Sequence, residues 1–392
     1  MATQTSANSL APSSSSTSTA NPPTTTPRTL RIGTRSSALA LAQVDLFTSL
    51  LQTTHKTLTT STHPSHTNLG DTNKVTDLHT LASTGKSLWT EDLELELGEN
   101  RVDIIVHSMK DVPTQLPTGF VCAAVGAREE ARDAVVMSER RAKQGWKTLA
   151  DLPHGGVVGT SSVRRAAMIR RIYPHLKIEN MRGNIPTRIR KGDDAELGFD
   201  ALILAGAGVQ RLGMGERVSS WLGAEEGVLH AVGQGAVGVE WREGDEWVAG
   251  LLQQVGTGKG SRRVRWEIMG ERSLLRALEG GCSVPVGVDC VWEDDVASEA
   301  PTHTPTQTQP SSPSSAPPTP HAHSGLLTMH AMVVSLNGTQ CVQGRQHHRI
   351  SSDQDAEDLA FRLYKELVDN GAEDILKKIR LNRDMIESQD GA

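Results

Sequence analysis

The sequence predicts an α/β fold with largely parallel sheets. Short runs of β-branched and other apolar residues, such as Val102 to Val106, have the composition of strands that are buried on both faces. Longer stretches with apolar residues at helical spacing separate these runs. Strands that alternate with helices in this way are typical of α/β proteins, in which helices cover a parallel sheet.

The first predicted strand and helix follow a low-complexity tail. Residues 1–28 consist mainly of Ser, Thr, Pro and Ala, with too few large apolar side chains to offset the entropy of folding, so we expect them to be disordered. Leu30 to Gly33 is predicted to form a strand, and Ser37 to Leu51 a helix. Further buried strands are predicted at 155–159 and 201–204.

The tail leaves two interpretations open. It has no acidic residue, which is also a feature of organelle transit peptides. Its first basic residue is Arg28, however, and a transit peptide normally carries several. We therefore favour a plain tail over a targeting segment, and a cytoplasmic location over an organelle.

A second low-complexity block interrupts the C-terminal part of the chain. Residues 297–324 are rich in Pro, Thr, Ser, Gln and His, and predicted strands flank them at 284–291 and 326–335. We interpret the block as a surface insertion between two strands. Its His residues lack regular spacing, so an inert loop is favoured over a metal site. The chain ends with a predicted amphipathic helix at 355–368, whose apolar face carries Leu359, Ala360, Leu363 and Leu367.

The composition disfavours several classes of protein. A chain of 392 residues is long for one domain and suggests two or three. A formal net charge of -6 and an aromatic content of 3% disfavour a nucleic-acid binder. The four cysteines form no C-x-x-C pair, which disfavours a zinc site or a disulfide framework and fits a reducing compartment. No apolar run approaches the roughly 18 residues of a membrane span, and the N-terminus lacks a secretory signal.

Polar residues follow directly after the predicted strand at 102–106. The run continues as His107-Ser108-Met109-Lys110-Asp111-Val112-Pro113. Because the carboxyl ends of strands face the ligand crevice in open α/β sheets, Lys110 and Asp111 are expected at the rim of a cleft. The alternative is an ordinary surface loop that ends at Pro113.

A second candidate site is a helix start with two arginines. Gly159 ends a predicted strand, and Thr160, Ser161 and Ser162 are all good N-cap residues for a helix that ends before Pro174. Arg164 and Arg165 then fall in the first turn, where the helix dipole disfavours a cation by about 0.3–1 kcal/mol. An anionic ligand at the helix N-terminus would remove this conflict. The alternative is a solvated basic face of the helix.

Two further stretches carry reactive or charged groups. Arg182 and Arg188 flank a Gly-Asn turn, and with Arg211 they add to the guanidinium groups that can bind carboxylates or phosphates in a bidentate way. Cys282 follows Gly280-Gly281 on a turn that we expect to be exposed, where a thiol is reactive. Most isolated cysteines are buried and inert, so this turn alone favours function only slightly.

Taken together, these stretches resemble the porphobilinogen deaminase family. The matching runs occur in the family's order and cover the chain from about residue 29 to 290. They are RIGTRSSALALAQ at 31–43, GKSLW at 85–89, VDIIVHSMKDVPT at 102–114, GTSSVRR at 159–165, MRGNIPTRIRK at 181–191, LAGAGVQRLG at 204–213, HAVGQGAVGVE at 230–240 and LEGGCSVPVG at 278–287.

The resemblance implies two periplasmic-binding-protein-like α/β lobes that face a cleft and a small C-terminal α/β domain. On this pattern lobe 1 spans 29–127 and 228–245, lobe 2 spans 128–227, and the third domain spans 246–392. The family carries a dipyrromethane cofactor joined by a thioether to a cysteine that corresponds to Cys282. Four porphobilinogen units add in turn with loss of ammonia, and hydrolysis releases the linear tetrapyrrole. A monomer that acts on a small molecule is implied.

The resemblance also implies roles for individual residues. Asp111 matches the catalytic aspartate, which suits a reaction that passes through an electron-poor azafulvene. The carboxylates of porphobilinogen call for an Arg-rich cleft in a protein of net negative charge. Positions that hold cofactor or substrate carboxylates, or assist turnover, correspond to Arg35, Ser37, Gln43, Asp71, Lys86, Lys110, Ser162, Arg164, Arg165, Arg182, Arg188 and Arg211, of which Gln43 and Asp71 are the weaker assignments.

One departure and two rival functions remain. Glu91 stands where the family usually has Lys, which exchanges a cation for an anion near the cleft. A non-catalytic anion-binding protein of the same fold would need the arginines but neither Cys282 nor Asp111. A nucleic-acid binder could use the basic block from Arg164 to Lys191, but the acidic net charge and scarce aromatics disfavour it.

Overall fold

The computed structural model describes residues 28–65, 90–255, 258–278, 284–293 and 324–390, the last nine of them by backbone alone. The N-terminal tail and the insertion, each except for its last residue, lie outside the described residues. So do three of the predicted site residues, Asp71, Lys86 and Cys282.

The described strands and helices alternate along most of the chain. The strands are β1 (Leu30–Arg35), β2 (Thr60–Ser65), β3 (Ile104–Ser108), β4 (Phe120–Val125), β5 (Asp133–Met137), β6 (Val157–Gly159), β7 (Lys177–Glu179), β8 (Ala201–Ala205), β9 (Ser220–Leu222), β10 (Val237–Arg242), β11 (Val286–Glu293), β12 (Gly325–Val334) and β13 (Cys341–Ile350). The α-helices are α1 (Ala38–Thr54), α2 (Glu91–Gly98), α3 (Glu139–Ala142), α4 (Val163–Ile172), α5 (Ile185–Asp193), α6 (Gly206–Arg211), α7 (Glu246–Val255), α8 (Lys259–Ala277), α9 (Asp353–Asp369) and α10 (Ala372–Asp390).

The strands form three sheets, one for each predicted unit. Lobe 1 has the order β2-β1-β3-β10-β4, lobe 2 the order β7-β6-β8-β5-β9, and the third domain the order β11-β12-β13. Two α/β lobes and a small C-terminal α/β domain are therefore confirmed. The chain crosses from lobe 1 to lobe 2 before β5 and returns before β10. The residue boundaries proposed for the three units stay a prediction.

The expectation of largely parallel sheets is wrong. In lobe 1, β1 pairs in parallel with β2 and β3, but β10 runs antiparallel to β3 and β4. In lobe 2, β6 pairs in parallel with β7 and β8, but β5 runs antiparallel to β8 and β9. The antiparallel strands, β5 and β10, are those by which the chain enters a lobe from the other lobe. Each of these two strands begins at the side of the sheet where the parallel strands have their carboxyl ends. Its direction is therefore opposite to theirs.

The individual elements of the lobes follow the sequence patterns with small shifts. The predicted strand at 102–106 is buried throughout, but its ladder runs from Ile104 to Ser108. The predicted helix after Ser37 extends to Thr54 and begins with the Ser37 Oγ accepting a hydrogen bond from the amide of Ala40. The apolar side of this helix packs on the lobe 1 sheet through Val44, Phe47 and Leu51.

The third domain packs α8 and α9 against an antiparallel sheet. The pair Glu293 and Leu326 ends the β11–β12 ladder, so the insertion connects two adjacent strands, as predicted. Leu359, Ala360, Leu363 and Leu367 are all buried, which confirms the apolar face of the predicted C-terminal helix. Helix α10 was not predicted.

This domain also contacts both lobes. Met332 and Val334 of β12 belong to the apolar core of lobe 2. Val264 and Ile268 of α8 pack against Met109, which follows β3 in lobe 1. The third domain therefore touches the segment that carries Lys110 and Asp111.

A buried carboxylate fastens the start of lobe 1. Asp103 accepts hydrogen bonds from the backbone amide of Arg31 at 2.9 Å, from the Arg31 Nη2 at 2.8 Å and from the Arg28 Nη2 at 3.0 Å. These bonds outweigh the effect of burial and lower the pKa of Asp103 to about 2. They join β1 to the start of β3, the two strands whose carboxyl ends reach the cleft.

We predict that Asp103→Asn destabilises the protein in a pH-dependent way. The pKa of Asp103 is lower in the folded chain than the ordinary value of about 3.9, so its ionised form stabilises the fold above about pH 4 and this stabilisation is lost as the pH falls towards 2. Urea unfolding at pH 7 should show a loss of about 1.5–3 kcal/mol in the free energy of unfolding, and the difference should shrink below pH 4.

The matched control is Glu99→Gln, which removes a surface carboxylate paired with Arg101. Exposed pairs contribute about 0.2–1 kcal/mol, so this variant should stay close to the parent. An Asp103→Asn variant as stable as the parent at pH 7 would show that the hydrogen bonds of Asp103 to Arg28 and Arg31 do not stabilise β1.

Candidate active site

The segment after β3 is held rigidly at the end of the strand. Ser108 is followed by a 3-10 helix at Met109–Asp111. The amide of Met109 donates to the carbonyl of Ala236 at 3.0 Å. From the third domain, Arg272 donates to the carbonyls of Val112 at 3.1 Å and Pro113 at 2.6 Å. The prediction that Lys110 and Asp111 follow a buried strand directly is confirmed, and the ordinary surface loop is wrong because the segment is fixed from two sides.

Gln43 of α1 is hydrogen-bonded to the end of β3, just before this segment. Its side chain is buried in α1, and its Nε2 donates to the Ser108 Oγ at 2.8 Å. The structure therefore places Gln43 in contact with the end of β3, two residues before Lys110. Its assignment as a residue that contacts the ligand stays a prediction.

Lys110 lies where charges of both lobes meet. Burial lowers its pKa to about 8, the nearby Asp111 and Asp133 oppose this shift, and Arg164 and Arg165 add to it. Asp133 and the two arginines belong to lobe 2, whereas Lys110 and Asp111 belong to lobe 1. Charged groups of both lobes therefore influence the ionisation of Lys110.

The two arginines of α4 are buried, so the alternative of a solvated basic helix face is wrong. Of the three candidate N-cap residues, Ser162 is the N-cap, and its Oγ accepts from the amide of Arg165 at 3.4 Å. Arg164 and Arg165 are 5% and 6% exposed. Burial lowers the pKa of Arg164.

Asp133 supplies the anion that the start of α4 requires. Its Oδ2 accepts from the Arg164 Nη1 at 2.8 Å, and its Oδ1 accepts from the Arg165 Nε at 3.0 Å and Nη2 at 2.8 Å. The two arginines hold the pKa of this buried carboxyl well below its usual range. The conflict between two cations and a helix N-terminus is thus relieved within the protein, and not only by a ligand as expected.

Sequence reasoning missed Asp133 and its neighbour Gln234. Gln234 donates through Nε2 to Asp133 at 2.8 Å, and its Oε1 accepts from the Arg165 Nη2 at 3.4 Å. The only local signal for Asp133 is an acidic residue directly before a run of buried β-branched residues. Its partners are 31 and 101 residues away along the chain, which no local pattern reveals.

Arg182 and Arg188 lie at the start of α5, on the same side of lobe 2. Gly183 has a φ of 123°, and the Asn184 side chain caps the helix. The Arg188 Nε donates to the Gly183 carbonyl at 2.5 Å. Burial and repulsion by Arg165 and Arg182 lower the pKa of Arg188 to about 10, and Asp111 of lobe 1 opposes this shift.

Arg211 and Arg35 have different surroundings. The Arg211 Nε lies 2.7 Å from the Glu129 Oε2, and its Nη2 donates to the Gly235 carbonyl at 2.7 Å, so it joins the two segments by which the chain crosses between the lobes. Arg35 ends β1 and lies two residues before the Ser37 cap of α1. Ligand contacts of these residues stay a prediction.

The structure therefore brings one set of predicted residues together. Electrostatic interactions join Lys110, Asp111, Arg164, Arg165, Arg182 and Arg188, with Asp133 among them. Cations outnumber anions in this cluster. The buried Nε of Arg164 has no hydrogen-bond partner among the described residues. A ligand with several carboxylates fits both observations.

Glu91 lies in the first turn of α2, where it is exposed. The helix dipole favours an anion at this position. The exchange of the family's usual cation for Glu91 thus has a local structural reason.

The structure describes the residues on either side of the loop that carries Cys282. It follows Leu278 at the end of α8 and precedes β11. A Cβ on Gly287 of β11 would lie 2.8 Å from the carbonyl oxygen of Leu229, which itself accepts a hydrogen bond from Arg164. The chain on the C-terminal side of the cysteine loop therefore passes close to the arginine pair.

The three cysteines outside this loop are poor nucleophiles. Burial raises the pKa of Cys122 to about 12 and that of Cys290 well above its usual value, and it also raises the pKa of Cys341. Each thiol is thus protonated at neutral pH, and a thiol reacts as its thiolate.

No helix in the described ranges has the length and apolar character needed to cross a membrane. No group of three or more His, Cys, Asp or Glu side chains in that part of the chain is arranged to hold a metal ion.

Comparisons with known proteins agree with the site. A family model described as "Porphobilinogen deaminase, dipyromethane cofactor binding domain" matches residues 30–250, and the C-terminal domain of the same family matches residues 266–298. Solved structures that align with the chain include the methionine-binding protein MetQ, with 14% identity over 63% of this chain and 97% of that one at a TM-score of 0.35. Similarity of this size supports no conclusion about fold or function.

Curated relatives match over nearly their whole length. The porphobilinogen deaminase of Neurospora crassa is 41% identical over 361 residues, which cover 91% of this chain and 95% of that protein. Those of Yarrowia lipolytica and Synechococcus are 39% and 40% identical, covering 89% and 90% of this chain and 93% and 97% of the relatives. With its charged cluster at the junction of two lobes, the chain therefore belongs to the porphobilinogen deaminase family, whose larger domain binds the dipyrromethane cofactor.

Proposed function

We propose that this chain is a transferase that joins four porphobilinogen molecules head to tail into hydroxymethylbilane, with release of ammonia, on a dipyrromethane primer bound to Cys282. One observation carries the proposal. The buried guanidinium groups of Arg164 and Arg165 share a single carboxylate, Asp133, so cations are in excess, and the buried Arg164 Nε has no partner among the described residues. Acidic composition and the absence of paired cysteine motifs support a cytoplasmic enzyme, and we propose that it acts as a monomer.

The arginine cluster suits the substrate. Porphobilinogen carries an acetate and a propionate, so each added ring brings further negative charge into the cleft. A protein with a net charge of -6 repels such a chain unless cations are concentrated locally. Arg164, Arg188 and Lys110 supply that concentration, and guanidinium groups bind carboxylates through two parallel hydrogen bonds.

The same residues fit the cofactor. Arg164 and Arg188 would hold its carboxylates, with Cys282 as the point of attachment. When bound, the dipyrromethane supplies the free pyrrole carbon to which the first porphobilinogen is joined. The fit rests on the excess of cations in the cluster and on the Arg164 Nε, which is buried with no partner among the described residues.

Asp111 would act on the reacting porphobilinogen. Loss of ammonia leaves an electron-poor azafulvene, which is cationic when protonated. A preorganised carboxylate stabilises such a cation and can accept a pyrrole N–H. Arg272 donates to the two carbonyls that follow Asp111, and the amide of Met109 donates to Ala236. These bonds fix the backbone around Asp111, so little reorganisation is needed during the reaction.

Incubation with porphobilinogen separates this proposal from its rivals. The enzyme should consume the substrate, release ammonia and form a linear tetrapyrrole. A non-catalytic anion-binding protein would bind the substrate without consuming it. A nucleic-acid binder would do neither, and the burial of Arg164 and Arg165 against Asp133 already counts against that use of the basic block.

We predict that Cys282 carries the cofactor as a covalent adduct. Intact-mass measurement of the purified protein should give a mass above that of the polypeptide, and Cys282→Ser should give the polypeptide mass alone. Cys341→Ser is the matched control, because burial raises the pKa of this thiol and it should keep the adduct. Full activity at the bare polypeptide mass would contradict the attachment.

We predict that Arg164→Gln impairs the binding of carboxylates. The variant loses the charge and the Nε of a buried guanidinium, and lost charge-assisted hydrogen bonds of this kind correspond to about tenfold to hundredfold in affinity. The KM for porphobilinogen, or the yield of adduct, should change by that order. Arg171→Gln, at the exposed end of the same helix, should behave as the parent. Normal adduct yield and turnover for Arg164→Gln would limit Arg164 to a structural role.

We predict that Asp111→Asn folds but turns over slowly. Asn keeps the shape and hydrogen-bonding ability of Asp111 and removes its charge, and the loss of one preorganised electrostatic partner costs about 10²–10³ in rate. Steady-state kinetics should show a fall in kcat of at least that order with an unchanged circular dichroism spectrum. The exposed Asp151 provides the control variant Asp151→Asn. Turnover of Asp111→Asn within a few-fold of the parent would move the catalytic role to another group.

A further inference from the structure

Asp133 accepts hydrogen bonds from three side chains that belong to two separate parts of the chain. It is fully buried at the start of β5 and accepts four hydrogen bonds, two through Oδ1 from Arg165, one through Oδ1 from Gln234 and one through Oδ2 from Arg164. Its partners come from helix α4 and from the segment by which the chain returns to lobe 1. The carboxylate thus fixes both arginines relative to the junction of the lobes.

The arrangement leaves one nitrogen of Arg164 without an acceptor among the described residues. The Nη1 of Arg164 is engaged by Asp133 at 2.8 Å and by the Leu229 carbonyl at 2.5 Å. Its Nε, by contrast, has no partner within the described part of the chain. Asp133 therefore turns the guanidinium so that Nη1 faces the protein and the Nε side remains for another acceptor.

We propose that Asp133 is a positioning residue that orients Arg164 and Arg165 for the carboxylates of porphobilinogen, an inference that rests on the proposed function. It does not touch the substrate. It acts by holding two guanidinium groups in fixed places, so that a ligand meets preorganised donors and does not have to order them.

Lobe 2 contains a second buried carboxylate with similar bonds, Asp200. Its variant serves as a control for a purely structural role of Asp133. Asp200 is also buried, and it accepts hydrogen bonds from two consecutive arginines, Arg140 at 2.9 Å and Arg141 at 2.6 Å. It also accepts from the amide of Val157 at 2.8 Å. Asp200 directly precedes β8, whereas Asp133 pairs with Ala205 at the other end of that strand. The two carboxylates thus lie at opposite ends of one strand, and of the two, Asp133 is the one bonded to Arg164 and Arg165.

The sign of the change in ligand affinity distinguishes a positioning role of Asp133 from a simple effect of its charge. Asp133→Asn removes an anion next to two cations, and by charge alone this would strengthen the attraction of the site for an anionic ligand. The amide also presents N–H groups to a guanidinium that needs an acceptor, so at least one arginine loses its fixed place. Positioning therefore predicts weaker binding, and charge alone predicts tighter binding.

The experiment compares the parent with Asp133→Asn and Asp200→Asn. Both variants lose a buried carboxylate shared by two arginines, so both should show a lower Tm. The KM for porphobilinogen should rise about tenfold to hundredfold in Asp133→Asn, with a smaller change in kcat, and should stay within a few-fold of the parent in Asp200→Asn. A KM that is unchanged or lower in Asp133→Asn, or equally raised in Asp200→Asn, overturns the inference.

A second readout does not need turnover. Citrate, a simple polycarboxylate, should raise the Tm of the parent and of Asp200→Asn, and this stabilisation should be smaller in Asp133→Asn. A parent that does not consume porphobilinogen contradicts the proposed function, and the citrate titration still decides the role of Asp133. An equal citrate effect in all three proteins overturns that role.

A third variant covers the case in which Asp133→Asn does not fold. Asp133→Glu keeps the charge but moves the carboxylate by one methylene group, so it displaces the arginines without leaving them unpaired. The inference predicts a raised KM and a reduced citrate effect for this variant. Parent values for a folded Asp133→Glu would show that the position of the carboxylate has no influence on binding.

Discussion

The ion cluster of Asp133 with Arg164 and Arg165 is the interaction on which the rest of the site depends. A buried charge is costly unless it is paired and hydrogen-bonded, and here one carboxylate pairs with two guanidinium groups at the start of α4. Because two cations share one anion, the group of three residues keeps a net positive charge. The helix N-terminus disfavours nearby cations, but with Asp133 present both arginines can be buried there and still attract an anionic ligand.

The same cluster is bonded to the junction of the three domains. Gln234 joins Asp133 through its side chain, and its carbonyl accepts from the Arg128 Nε at 2.9 Å. Arg128 in turn pairs with Glu271 of α8 at 2.6 Å, and Glu271 also accepts from the amide of Gly233. Both segments that cross between the lobes are therefore bonded to the third domain. The position of the arginine pair relative to Asp111 is set by this connected network.

Sequence patterns predicted the local features of the site well. The capped start of α4, the strand that leads to Lys110 and Asp111, and the turn before Arg188 each depend on neighbours within a few residues. The sequence did not reveal Asp133, whose partners are distant in the chain, or the burial of Arg164 and Arg165 against it. It also did not reveal that β5 and β10 run antiparallel, because strand direction at a crossover depends on the path of the chain between lobes. Asp71, Lys86 and Cys282 lie outside the described residues, so their roles rest on the resemblance alone.

We expect a polycarboxylate attached at Cys282 to lie among the arginines between the lobes. A crystal structure of the cofactor-loaded protein would show whether it does. Continuous electron density should run from the Cys282 sulfur to a dipyrromethane whose carboxylates contact Arg164 and Arg188, with a pyrrole N–H near Asp111 and with Asp133 still bonded to both arginines of α4. A cofactor bound away from these arginines, or an Asp111 turned away from its pyrrole rings, would show that this cluster does not hold the cofactor.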